Sequence, residues 1–141
     1  MIKNMKILVI ILSLFYSLNL RAQNDINWIS WDQMIELRNK DSIRKKVFID
    51  LYTPWCGWCK RMDLSTFKDP IIINYLNSKF YAVKFNGETN DTITFNNHKF
   101  YNSDPLYVKK TEKSRGKAHW FAHSILDGKL SYPSYVVLDE N

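Results

Sequence analysis

From Lys45 to Lys60 the chain reads KKVFIDLYTPWCGWCK, and this stretch constrains the fold more than any other. Val47, Phe48, Ile49, Leu51 and Tyr52 form an almost continuous β-prone run, which suits a strand buried on both faces. Pro54 stops that strand, and the only two cysteines of the chain follow, separated by Gly57 and Trp58. A buried strand that turns through proline into a cysteine-bearing helix start is an α/β arrangement. Asp50, an ionisable group in the middle of the apolar run, requires its own explanation.

The spacing of the cysteines points to chemistry rather than to a structural staple. The entropic stabilisation from a disulfide grows with the loop it closes, and this loop is too short to hold a fold together. A thiol attacks as its thiolate, and a cysteine in the first turn of a helix meets unpaired N–H groups and the positive end of the helix dipole, both of which lower its pKa. Cys56 and Cys59 lie about one helical turn apart, close enough to form a disulfide and to resolve a mixed disulfide with another protein. Position sets the expected order of attack. Cys56, at the first turn, faces a partner as the nucleophile; Cys59, one turn inward and more covered, resolves. Trp55 and Trp58, beside an exposed thiol, are expected to form an apolar docking surface for protein substrates. C-x-x-C is also half of a zinc site. That reading needs two further ligands, and the three histidines, His98, His119 and His123, lie far along the chain. His119 and His123, four apart, read as a helix surface or a packing pair, and no metal or organic cofactor is expected.

The first 22 residues read as a separate unit, a secretory signal peptide: Lys3 and Lys6, an apolar run from Ile7 to Leu18, and a cut after Ala22. The run is shorter than the roughly 20 residues of a spanning helix. The remaining chain, 23–141, is expected to form one exported domain, periplasmic or extracellular, where disulfides persist. Of the 20 basic residues, Lys3, Lys6 and Arg21 leave with the signal, giving a mature net charge of +3 against the 14 acidic residues. So weak an excess, without a dense basic run, gives no reason to propose nucleic acid as a partner.

Along the rest of the chain, Asn24–Ile29 is a polar lead-in. Ser30 caps a helix from about Trp31 to Lys40, with Trp31, Met34, Ile35 and Leu37 as its apolar stripe. A second helix runs from Cys56 to Phe67, and a third opens at Asp69 as cap with Pro70 at its first position. A strand from Phe80 ends at Asn86-Gly87. Between Glu88 and Arg115 the pattern loosens into an insertion too short for a core of its own. It holds a small hairpin, Thr92–Phe95 against Lys99–Tyr101 across Asn96-Asn97, and then a polar stretch. A helix from Lys117 places Trp120, Phe121, Ser124 and Ile125 near one side and stops at Gly128; a proline and a strand, Ser134–Leu138, follow.

Strand, WCGWCK and helix together resemble the thioredoxin superfamily, with Trp55, Cys56, Gly57, Cys59 and Lys60 matching its W-C-G-x-C-K pattern. Trp58 departs from it, standing where typical thioredoxins have proline. The run CKRMDLSTFKDPIIINYLNSKFYAVKFN is similar to exported bacterial thioredoxin-like proteins. The resemblance covers Lys45 to Leu138, apart from the insertion at 88–115. It implies a thioredoxin-like three-layer α/β fold, a central mixed sheet flanked by helices. It also implies a thiol–disulfide oxidoreductase acting on protein thiols and disulfides, with a membrane electron donor as a further partner. Asp50, six residues before Cys56, stands where the family carries a buried acid that moves a proton to and from the resolving cysteine; burial would raise its pKa, as that role needs. Lys84 resembles the lysine that pairs near that acid. Pro133 resembles the family's cis-proline, which presents the backbone of the preceding residue, here Tyr132, to an extended substrate. The W-C-G-x-C-K pattern favours reduction. The family adds a further strand and a final helix after the proline strand. This chain stops at Asn141, so the expectation is a fragment truncated at its C-terminus. The competing expectation is a non-catalytic binding module with an idle disulfide, the insertion serving as its contact surface.

Overall fold

A computed structural model describes residues 24–102 and 118–139. The elements in chain order are helix α1 (Trp31–Lys40), strand β1 (Lys46–Tyr52), helix α2 (Gly57–Leu64), a 3-10 turn (Thr66–Lys68), helix α3 (Pro70–Lys79), strand β2 (Phe80–Asn86), the short strands β3 (Ile93–Phe95) and β4 (His98–Phe100), helix α4 (Trp120–Ile125) and strand β5 (Ser134–Leu138). The expected signal peptide and most of the polar stretch before α4 lie outside the described residues.

The helix starts follow from their caps. Ser30 and Gln33 form a reciprocal capping box at α1: the Gln33 N–H donates to Ser30 Oγ and the Ser30 N–H to Gln33 Oε1. At α3 one oxygen of Asp69 accepts from the N–H groups of Ile71 and Ile72, and Pro70 occupies a position where no N–H is needed.

The main sheet has the order β2-β1-β5, with β1 parallel to β2 and antiparallel to β5. Central β1 alternates its side chains between two cores, as a pleated strand must. Val47, Ile49 and Leu51 pack with Val83, Phe85, Trp31, Met34 and Phe121, the side covered by α1 and α4. Phe48 on the opposite side belongs to the layer formed by Phe67, Ile73, Leu76 and Ala82, under α2 and α3. This is the mixed sheet between helical layers that the sequence implied.

Several details differ from the sequence reading. The lead-in is not merely polar: Ile29 bridges alongside β2, accepting from the Lys84 N–H and donating to Ala82 O, and Ile26 is buried. The helix expected from Cys56 to Phe67 ends at Leu64. Ser65 leaves helical geometry (φ −123°, ψ −89°), and the following 3-10 turn carries Phe67 into the lower core against Trp28. Leu37 and Ser124, placed on apolar stripes by spacing, are exposed, whereas Ala122 is buried. In the hairpin, Asn96 and Asn97 both take positive φ, so they form a two-residue turn and set Phe95 directly opposite His98. The strands are thus Ile93–Phe95 and His98–Phe100. The hairpin also belongs to the upper core, which takes in Ile93 and Phe100, and Trp31 Nε1–H donates to Thr94 O.

Phe121 is the hub of that core. It is fully buried, with its ring 4.5 Å from that of Trp31, 5.3 Å from Phe85, 5.7 Å from Phe95 and 5.4 Å from Phe100. It therefore ties α1, β2 and the hairpin to α4. Truncation to Ala should cost about 3–5 kcal/mol of stability. Urea unfolding measures this as a lower midpoint with an unchanged slope, and a loss below about 1 kcal/mol would contradict the hub.

Candidate functional site

Cys56 and Cys59 are joined as a disulfide, with Cα atoms 5.3 Å apart. Pro54 and the Cys56 N–H bond to Thr53 O bend the chain out of β1, so that Cys56 becomes the N-cap of α2 rather than a residue of its first turn. The cap is the sulfur itself: the Cys59 N–H donates to Cys56 Sγ at 3.0 Å. Sγ thus occupies the place of a capping oxygen, where unpaired N–H groups and the helix dipole favour negative charge. Cys59 was expected to be the more covered of the two, but Cys56 is buried just as deeply, each residue being 4% exposed. What projects is the pair of flanking indoles, Trp55 at 50% exposure and Trp58 at 65%.

Asp50 is 2% exposed, on the face of β1 that α2 covers. Lys84, its register partner on β2, sets its ammonium 3.6 Å from Asp50 Oδ2 and in direct hydrogen-bond contact with Asp63 Oδ1 of α2. Asp50 Oδ1 and the neighbouring Thr53 Oγ1 are buried without a hydrogen-bond partner among the described residues. Burial pushes the Asp50 carboxyl up to about 6; the Lys84 charge opposes the rise and the Asp63 charge adds to it. The sequence reading placed Asp50 and Lys84 together, and the structure does so. Asp63 was missed, although it stands four residues after Cys59 and so shares its helix face.

The rim is completed by Tyr132 and Pro133, joined by a cis peptide bond. The Tyr132 ring stands edge-on to Trp55, with centroids 6.1 Å apart, and lies so close over Gly87 that a Cβ there would come within 2.2 Å of its hydroxyl oxygen. Gly87 is therefore needed for close approach. Glu88, also missed, accepts a hydrogen bond from Trp55 Nε1–H at 3.0 Å. The structure thus sets Tyr132, in cis linkage to Pro133, against Trp55 beside the Cys56–Cys59 pair and Trp58, and places Lys84 between Asp50 of β1 and Asp63 of α2. His119 plays a different part. It is fully buried and caps α4, with Nδ1 accepting from the Phe121 N–H and Nε2 donating to Asp91 O; desolvation lowers its pKa. Among the described residues, no group of three or more His, Cys, Asp or Glu side chains converges as a metal site.

A mixed sheet whose central strand leads into a helix capped by one cysteine of a C-x-x-C disulfide defines a thioredoxin-like protein. Residues 12–127 match the model of the Thioredox_DsbH family, described as a protein of unknown function, DUF255. That match takes in most of the chain, and the protein belongs to this family. It is also similar to protein disulfide-isomerase 5-2 of Arabidopsis thaliana, at 30% identity over 95 residues, 57% of this chain and 22% of that protein. The chain thus spans about a fifth of the length of that curated relative.

The raised pKa of Asp50 has a consequence for stability. Folding favours the protonated carboxyl, so the charge-related cost of Asp50 is absent at a pH well below 3.8; that cost grows as pH rises from there and is complete above about 6. The full penalty is on the order of 3 kcal/mol. Asp50→Asn should therefore be more stable than the parent by roughly 2–3 kcal/mol at pH 7.5, with the gain vanishing near pH 3.5. Chemical denaturation at the two pH values checks this, and an equal difference at both would rule it out.

Proposed function

We propose that this protein is an exported thiol–disulfide oxidoreductase that works chiefly as a reductase of protein disulfides. The observation that carries the reading is the sulfur cap of α2. In the dithiol form, the N–H that Cys56 Sγ accepts would stabilise a Cys56 thiolate, the attacking species. Supporting it are the exposed indoles beside that sulfur and the likeness to a protein disulfide-isomerase. Thioredoxin-like proteins in general act on protein thiols and disulfides.

The Cys56 thiolate attacks one sulfur of a substrate disulfide, forming a Cys56–substrate disulfide and releasing the other substrate sulfur as a thiolate. Cys59 gives its proton to the Asp50 carboxylate and attacks Cys56 Sγ. The Cys56–Cys59 disulfide forms, the second substrate thiol leaves, and two electrons have passed to the substrate. A carboxyl with a pKa of about 6 is suited to accept and return that proton near neutral pH. Trp55 and Trp58 supply apolar contact, while Tyr132 and Pro133 frame an extended substrate segment. Return to the dithiol requires a reductant; with the signal peptide removed after Ala22, a dithiol donor held in the membrane fits that need.

Purified protein with excess dithiothreitol should accelerate insulin-disulfide reduction, and Cys56→Ser should fall to the uncatalysed rate. Activity equal to the parent in Cys56→Ser would leave only a binding module with an idle disulfide. Cys59→Ser should accumulate mixed disulfides through Cys56, visible on non-reducing gels and by mass spectrometry of the linked peptide. Linkage through residue 59 in Cys56→Ser, with none through Cys56 in Cys59→Ser, would reverse the two roles. A reduction potential near that of thioredoxin, roughly −270 mV, fits a reductase, and one near about −120 mV would make it an oxidant.

A further inference from the structure

The redox reading uses Asp50 but leaves Lys84 and Asp63, which meet beside it, without a part. Lys84 stands between two carboxylates and serves them unequally. Its ammonium is hydrogen-bonded to Asp63 Oδ1, on a side chain 37% exposed, and stays 3.6 Å from Asp50 Oδ2, beyond hydrogen-bond length. The buried carboxylate is the one that would gain most from a cation, since burial penalises its charge. Here the cation makes its closest contact with the more exposed one and only a longer ion pair with the buried one. We propose that Asp63 is a positioning residue, which holds the Lys84 ammonium away from Asp50 and so leaves a buried carboxyl group ready to exchange a proton with the cysteine pair.

This inference rests on the redox reading for its purpose, but not for its geometry. The titratable and charged groups that act on Asp50 come from each neighbouring element: Lys84 from β2, Asp63 from α2, and Tyr135 as its register partner on β5. The Tyr135 hydroxyl is pushed up to about 12, chiefly by burial with the Asp50 and Asp63 charges adding, so it stays neutral wherever Asp50 titrates. Lys84 and Asp63 are therefore the charges that set the balance. Removing the Asp63 charge acts twice in one direction. It deletes a repulsion on the Asp50 carboxylate and frees Lys84 to bond to it, and both favour the charged form.

The test is a carboxyl-carbon NMR titration of Asp50 in the disulfide form of the full chain, where the cysteines carry no titrating proton, with the signal assigned through Asp50→Asn. In Asp63→Asn the Asp50 midpoint should fall by roughly one pH unit, a tenfold change in proton affinity. In Asp63→Glu, which keeps the charge, it should return towards the parent value. The acid limb of kcat/KM for insulin reduction should move with the midpoint. Because Asp63 is partly exposed, its replacement should be tolerated, and Asp63→Ser gives the same comparison should the Asn variant not be recovered folded. An unmoved midpoint in the uncharged variants would overturn the assignment, even in a protein that reduces insulin. A midpoint that falls in a protein without insulin activity would uphold the positioning role and remove the redox reading instead.

Discussion

A carboxyl group buried in the central strand is the constraint around which the site is arranged. Asp50 is flanked in β1 by Ile49 and Leu51, both fully buried on the other face, so its backbone cannot shift to bring the carboxyl to water without dismantling the upper core. The charge must be met where it stands. Parallel pairing with β2 places Lys84 directly alongside, and antiparallel pairing with β5 places Tyr135 on the other flank. The compensation is incomplete, since one Asp50 oxygen lacks a partner among the described residues. Incomplete compensation is a stability defect and a chemical asset at once, because a carboxyl close to neutrality can take up and return a proton.

The two cores divide the labour. The upper one, with Phe121 packed against Trp31, Phe85, Phe95 and Phe100, holds the sheet rigid from behind. The lower one is crossed by polar groups, because Asp63 of α2 reaches down to Lys84 beside the buried Asp50. Gly87 links the two regions: its N–H bonds to Tyr52 O at the end of β1, its carbonyl accepts from the His119 N–H at the start of α4, and its bare Cα admits the Tyr132 ring. The buried His119 cap is thus mechanically joined to the rim of the site through a single residue.

Much of this was legible in the sequence because it is local. Caps, proline positions and β-prone runs located α1, β1, α3, β2 and β5 almost to the residue, and the C-x-x-C spacing with its flanking strand located the site. What escaped depends on tertiary geometry. A helical pattern cannot reveal that Ser65 breaks α2 so that Phe67 can turn into the lower core, nor that Ile29 bridges alongside β2. Cys56 and Cys59 looked unequal in exposure because helix position was the only guide, whereas in the fold both are equally buried. Glu88 lay in what read as the start of an insertion, and nothing local marks it as the acceptor of a tryptophan N–H.

Asp63 shows where sequence reasoning could have gone further. A charged residue four positions after a buried helix residue must either break the apolar face or find a partner beneath it. With Asp50 already on the facing strand, a second carboxylate alone would have been repulsive, so a cation had to lie between the two. Lys84, placed opposite Asp50 by strand register, is the residue that satisfies both demands. One lysine shared by two acids need not divide its charge equally, and the more exposed acid holds it here because direct contact with Asp63 requires less desolvation of either group. The inequality leaves the buried acid with its pKa raised to about 6, so the trio carries −1 when Asp50 is ionised and is neutral when Asp50 is protonated, and the electrostatics of the site are set by the division of one cation as well as by burial.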